Sequence, residues 1–173
     1  MRIFIGIKCS GEIQKDFLKW QEENRKLPVR FIESSNLHVT LVPPFWEENI
    51  EKVIGKFNKF NFDEGFFDLI FEEIKYFPGN RPWMIWVNGK TTKSLLRLHE
   101  KLHEHFRREK EKRKYNLHIT LARFEEKGIL ELPRIKQTKI NRKMKVNKIT
   151  LFESRLSRLG ATYSIITQKS LRS

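Results

Sequence analysis

NLHVTL at residues 36–41 returns as NLHITL at residues 116–121, and the two hexapeptides differ only in Val39 against Ile119. In an extended chain, positions i and i+2 point to the same face and lie about 6.5–7 Å apart. Leu37, Val39 and Leu41 therefore make one apolar face, and His38 and Thr40 share the other. Leu117, Ile119 and Leu121 repeat that face against His118 and Thr120. Each copy reads as a strand that anchors itself in a core and holds out one imidazole and one hydroxyl.

The segments around the two copies predict a mixed fold. RIFIGIK at residues 2–8 is a β-branched and aromatic strand. Ser10 offers a helix N-cap, and Ile13, Phe17, Trp20 and Leu27 recur near helical spacing until Pro28 ends the helix. A short extended stretch over 29–33 leads to the first hexapeptide, whose strand Pro43 and Pro44 are expected to stop, because proline donates no amide to a ladder. Ile50, Val53, Ile54 and Phe57 predict a helix of roughly fifteen residues. Strands over 66–77 and 82–88 flank the turn Pro78-Gly79-Asn80-Arg81, and a helix over 91–109 turns Leu95, Leu98, Leu102 and Phe106 inward.

A basic run from Arg107 to Lys114 delivers the chain to the second hexapeptide. After a loop rich in Glu, Gly and Pro, MKVNKITLFESRL and ATYSIITQ read as two strands joined at Leu159-Gly160. The repeated order suggests a duplicated module, with residues 1–173 forming one two-lobed unit. Two-fold pseudo-symmetry would turn the His-x-Thr faces toward each other across a cleft.

Composition narrows the function classes. The 173 residues are 39% hydrophobic, with 14 Phe and 4 Trp, enough to bury a core. Lysine and arginine total 35 against 21 acidic residues, so the net charge of +14 favours a polyanionic partner over a merely solubilising surface. A single cysteine, Cys9, excludes an internal disulfide and fits a reducing compartment. The apolar start is too short for a membrane span and unlike a signal peptide, so a cytoplasmic protein is expected, taken as a monomer with no membrane partner.

Two histidines suffice for acid–base chemistry at phosphorus. With an unperturbed pKa of about 6.5, one imidazole can accept a proton while the other donates one. Placed on opposite sides of a phosphorus atom, they deprotonate an attacking water and protonate a departing oxygen without a metal or cofactor. Thr40 and Thr120 can donate to nonbridging oxygens, and Arg123 in HITLARF can hold the charge that develops there.

HVTL at 38–41 and HITLAR at 118–123 resemble the paired signature of the two-histidine phosphodiesterase superfamily, specifically the RNA 2',3'-cyclic phosphodiesterases historically called 2'-5' RNA ligases. RIFIGI, PWMIWV and LFESRLSRLGATY also resemble family segments in order, so the likeness covers nearly the whole chain. The resemblance implies a bilobal α+β fold, with antiparallel sheets lining a central cleft and helices outside. It implies metal-independent hydrolysis of an RNA or nucleotide 2',3'-cyclic phosphate end to a 2'-phosphate, with 2'-5' joining as a side activity. His38 and His118 carry over as the catalytic pair, Thr40, Thr120 and Arg123 as phosphate contacts. The working assignment makes His118 the base and His38 the acid, although motif symmetry leaves the reverse order open. In one departure, Pro43 stands where many relatives carry a base-stacking aromatic, and Phe45 or Trp46 are the candidate replacements.

Two other readings compete. His99-Glu100-Lys101-Leu102-His103 matches the HExxH pattern of zinc hydrolases, with two imidazoles one helical turn apart. Lys101 inside that turn, the absence of an HExxHxxGxxH extension where Glu104-His105-Phe106-Arg107-Arg108 continues the chain, and the Leu/Phe stripe all count against it. A non-catalytic RNA-binding module would use the basic runs 107–114 and 139–148, but leaves the repeated His-x-Thr unexplained.

Overall fold

The computed structural model describes residues 1–109, 114–124, 132–136, 138–158 and 160–171. Two antiparallel sheets organise it. The four-stranded sheet runs β3 (His38–Trp46), β1 (Arg2–Lys8), β8 (Lys148–Ser157), β9 (Gly160–Ser170). The five-stranded sheet runs β2 (Val29–Phe31), β6 (His118–Phe124), β5 (Met84–Lys90), β4 (Phe67–Phe77), β7 (Lys139–Val146). Each sheet thus contains one hexapeptide strand, and the expected α+β architecture is present.

Three helices pack against the sheets, and each starts on a side-chain cap that satisfies an orphan amide. Ser10, Asn49 and Thr92 accept from the backbone of Ile13, Lys52 and Leu95, opening α1 (Gly11–Glu23), α2 (Ile50–Lys59) and α3 (Lys93–His105). On α3, Leu95, Leu98 and Leu102 are fully buried, while Ile13, Phe17 and Trp20 form the inward stripe of α1. The core they join includes Val39 and Leu41 of one motif strand and Ile119 and Leu121 of the other, all at 0% exposure.

Five expectations need correction. Helix α1 stops at Glu23, well short of Pro28, because Asn24 caps it: its side-chain amide donates to the Trp20 carbonyl at 2.9 Å and its Oδ1 accepts from the Lys136 amide at 2.9 Å. Helix α2 spans ten residues and α3 runs from Lys93 only to His105, not over 91–109, both shorter than their apolar periodicity suggests. Pro43 and Pro44 do not end β3, which continues to Trp46. This strand is a sheet edge, and its pairing with β1 slips between Ile3–Phe45 and Ile5–Val42, so the prolines sit in a bulge that needs no amide from them. Finally, MKVNKITLFESRL is two strands: the chain leaves the five-stranded sheet after Val146 and enters the four-stranded one at Lys148. Residues 110–113 of one basic run, 125–131 of the Glu/Gly/Pro loop and Leu159 lie outside the described residues.

Candidate active site

The period-two pattern holds in both motif strands. His38 and Thr40 are partly open while Val39 and Leu41 are buried, and His118 and Thr120 alternate in the same way with Ile119 and Leu121. All four polar side chains line a single cleft of about 570 Å³, to which both sheets contribute.

Each imidazole is held by the same local clamp. His38 Nδ1 lies 2.6 Å from the carbonyl oxygen of Asn36, and His118 Nδ1 lies 2.9 Å from that of Asn116. A carbonyl only accepts, so Nδ1 carries the proton in both rings and Nε2 becomes the basic nitrogen of the neutral form. On the His38 side, Nε2 lies 3.1 Å from Thr40 Oγ1, so in the neutral ring the hydroxyl donates to it. The repeated asparagine two residues before each histidine thus fixes the tautomer through its backbone.

Asn36 does more than this. Its side chain donates from Nδ2 to the Ala161 carbonyl at 2.9 Å and accepts at Oδ1 from the Tyr163 amide at 3.1 Å, tying the start of β3 to β9. Spacing along the chain does not signal that cross-link, because the partner strand is far away in sequence.

Arg123 presents a parity problem that the structure solves. Five residues separate it from His118, so in a regular strand it would face away from the cleft. Pairing with β5 slips between Ile85–Ala122 and Trp86–Thr120, and the extra residue, Leu121, flips the parity. The β1–β3 pairing slips at the equivalent place, between Ile5–Val42 and Gly6–Thr40. These matched bulges put Leu41 and Val42 both inside on one strand, Leu121 and Ala122 on the other, and return Arg123 to the cleft lining.

The guanidinium of Arg123 contacts Met84 Sδ at 3.2 Å and stands over the Trp83 ring at 5.4 Å, with no carboxylate bridging it among the described residues. Burial lowers its pKa, with Tyr163 opposing and the neighbouring Arg30 adding, yet an arginine so placed stays charged. Arg2, Arg30 and Arg123 line the cleft, and no Asp or Glu does so among the described residues. The lining therefore suits an anion.

The two histidines differ in their surroundings. His38 packs 4.8 Å from Phe4 and 5.1 Å from Tyr163, and burial pushes its pKa from 6.5 down to about 4, the Asn36 carbonyl opposing and His118 and Arg123 adding to the fall. His118 instead lies flat on Trp86, with centroids 3.8 Å apart and planes at 17°, and Trp86 in turn stacks on Phe77 at 3.4 Å. That stack offers a π face to an imidazolium. Neither ring's environment was readable from the near-identical hexapeptides.

Phe45 and Trp46 do not line this cleft. Phe45 stacks under the Arg108 guanidinium at 3.7 Å, and Trp46 is 76% exposed elsewhere. The aromatic rings in the lining are Phe4, Trp83, Trp86 and Tyr163, which sequence reasoning did not select.

The HExxH residues have a different role in the fold. His103 Nε2 lies 3.1 Å from the Leu41 carbonyl and Nδ1 3.2 Å from that of Glu109, while His99 stacks on Tyr115 at 4.0 Å. Tyr115 in turn donates to the Thr40 carbonyl at 2.8 Å, so this cluster props the first motif strand from behind. Among the described residues, no group of three His, Cys, Asp or Glu gathers as a metal site.

Paired His-x-Thr strands in two antiparallel sheets around one cationic cleft are the arrangement of a two-histidine phosphoesterase. The chain belongs to the 2'-5' RNA ligase superfamily, whose sequence profile matches residues 11–158. Solved structures share the fold over nearly full length. TT0787 of Thermus thermophilus aligns with a TM-score of 0.81 at 22% identity, covering 99% of this chain and 98% of that one. Escherichia coli LigT in its apo form aligns at 0.73 and 20% identity with the same coverage, and its structure has also been solved in complex with 3'-AMP. The MHV ns2 PDE domain is more distant, at 0.56 and 16% identity, over 96% of this chain and all of that one. None of the curated protein sequences compared with the chain matches significantly. Membership of this family makes the chain an enzyme type that cleaves or joins phosphodiesters. No helix among the described residues is long and apolar enough to cross a membrane.

Proposed function

We propose that the protein opens RNA 2',3'-cyclic phosphate ends to 2'-phosphates with His38 and His118 as its acid–base pair and no metal. The observation that carries this reading is the duplicated carbonyl clamp, which makes Nε2 the basic nitrogen of both rings at one anion-accepting cleft. His118 Nε2 takes a proton from water as the water oxygen bonds to phosphorus. The P–O3' bond breaks, and His38 protonates the departing 3' oxygen, leaving a 3'-hydroxyl and a 2'-phosphate. With a 5'-hydroxyl in place of water, the same steps join two RNA ends through a 2'-5' linkage.

The surroundings favour this order of roles. An imidazolium forming at His118 gains the π face of Trp86. His38 is neutral in the free protein, and a bound phosphate anion beside it supplies the negative charge that lets it take up the proton it later donates. Thr40, Thr120 and Arg123 hold the nonbridging oxygens. The protein acts as one unit over residues 1–173, as a monomer in the cytoplasm.

Replacing either histidine by alanine tests the pair. Turnover of a cyclic-phosphate RNA falls by at least about 100-fold in each variant, with unfolding curves still cooperative. A folded double variant with full turnover contradicts the mechanism.

A further inference from the structure

The reaction above uses the phosphate end of the cleft and leaves its exposed indole without a task. Trp83 is 42% exposed, and among the large apolar side chains exposed on the described surface, it and Leu156 are the ones that line this cleft. The ring does not hang from a loose segment. Its backbone amide donates to the Phe77 carbonyl at 3.0 Å, its carbonyl accepts from the Phe124 amide at 3.0 Å, and β5 begins at the next residue. The backbone that carries the indole is therefore fixed on both sides, beside the end of the strand that bears His118 and Arg123.

The position relative to charge is equally specific. Arg123 stands over this ring at 5.4 Å, so the aromatic surface adjoins the guanidinium assigned to the phosphoryl oxygens. A nucleotide has the same order of parts, an anion joined through a sugar to a flat aromatic base. Phe45 and Trp46, the aromatics nearest the first motif in sequence, are absent from the lining, whereas the part-exposed Trp83 ring enters it from the residue before β5.

We infer that Trp83 is the stacking platform for the nucleobase attached to the phosphate bound between His38 and His118. The inference rests on the reading of that site as a nucleotide-phosphate site. Stacking is tolerant of base identity, because every base has a π face. The lining holds no described carboxylate, and the Asn36 amide is already committed to Ala161 and Tyr163, so neither of these groups reads base edges there. The substrate class that follows is RNA ends of any terminal base, purines binding somewhat more tightly for their larger rings.

Calorimetric titration with the four nucleoside 2'-phosphates, and separately with inorganic phosphate, tests this on the wild type, Trp83→Ala and Trp83→Phe. Adenosine 2'-phosphate binds the wild type about tenfold or more tightly than phosphate, and Trp83→Ala removes most of that advantage. Phosphate affinity changes by no more than about threefold, Trp83→Phe keeps most of the nucleotide's advantage, and the four bases fall within about tenfold of one another. Equal losses for nucleotide and phosphate in Trp83→Ala would mean that the indole only positions Arg123, and unchanged nucleotide affinity would mean that it does nothing; either overturns the inference. Because binding alone is read, a protein that stacks nucleotides on Trp83 but leaves cyclic phosphates intact would uphold the platform while overturning the proposed reaction.

Discussion

Acidification destabilises this protein through His38, and His38→Gln removes that part of the loss. The folded ring titrates near 4 because burial disfavours its charge, whereas the unfolded chain titrates near 6.5. Between these values the unfolded state binds a proton that the folded state refuses, so stability is full above about pH 6.5 and declines as pH falls toward 4. At about 1.4 kcal/mol per unit, the shift corresponds to about 3 kcal/mol at most, since the ring retains some contact with solvent. His99 is lowered to about 4 as well, by burial and then by His103, so the wild type loses stability through both rings and only the difference between proteins isolates His38. Urea unfolding of wild type and His38→Gln at pH 7.5, 6.5, 5.5 and 4.5 gives that difference. The wild type must lose stability relative to the variant steadily below pH 6.5, by about 2–3 kcal/mol at pH 4.5. A difference that stays constant over the range refutes the claim that the fold holds His38 neutral.

Three further outcomes follow from the same geometry. Sulfate, which does not titrate in this range, binds at pH 6 with uptake of about one proton, read from calorimetry in buffers of different ionisation enthalpy; binding without uptake contradicts a protonated His38 in the anion complex. Trp86→Leu takes the π face from under His118 and lowers kcat about 2- to 30-fold with a smaller change in KM, equivalent to about 0.5–2 kcal/mol of imidazolium stabilisation. Gly6→Ala forces a methyl to within 2.6 Å of the Val39 carbonyl, between His38 and Thr40, and costs about 1–3 kcal/mol in denaturant unfolding, with turnover falling as β3 shifts.

The hexapeptides carried their own orientation in the sequence, because a period of two with buried Val39, Leu41, Ile119 and Leu121 leaves one way for His38 and His118 to face. The paired signature was equally readable as a family likeness. What stayed hidden depends on neighbours that sequence spacing does not name. The bulge at Leu121 exists only in register with β5, so the parity of Arg123 could not be read from HITLARF. Pro43 and Pro44 look like strand breakers until β3 is known to be an edge, which is a property of the whole sheet. The break at Asn147 is similarly invisible, since KV and KITL are both strand-like and only the split into two sheets separates them. Phe45 and Trp46 are near the first motif only along the chain, whereas Trp83 and Tyr163 reach the cleft through the pairing of distant strands.

The most direct test of the account is the identity of the product formed in excess EDTA from a short RNA ending in a 2',3'-cyclic phosphate. Phosphorus NMR or enzymatic end analysis of the reaction distinguishes the two possible monoesters. The account predicts a 2'-phosphate, formed at the same rate with and without the chelator and lost in His38→Ala and His118→Ala. A 3'-phosphate would reverse the leaving oxygen, and turnover abolished by EDTA and restored by a divalent metal would contradict the two-histidine mechanism itself.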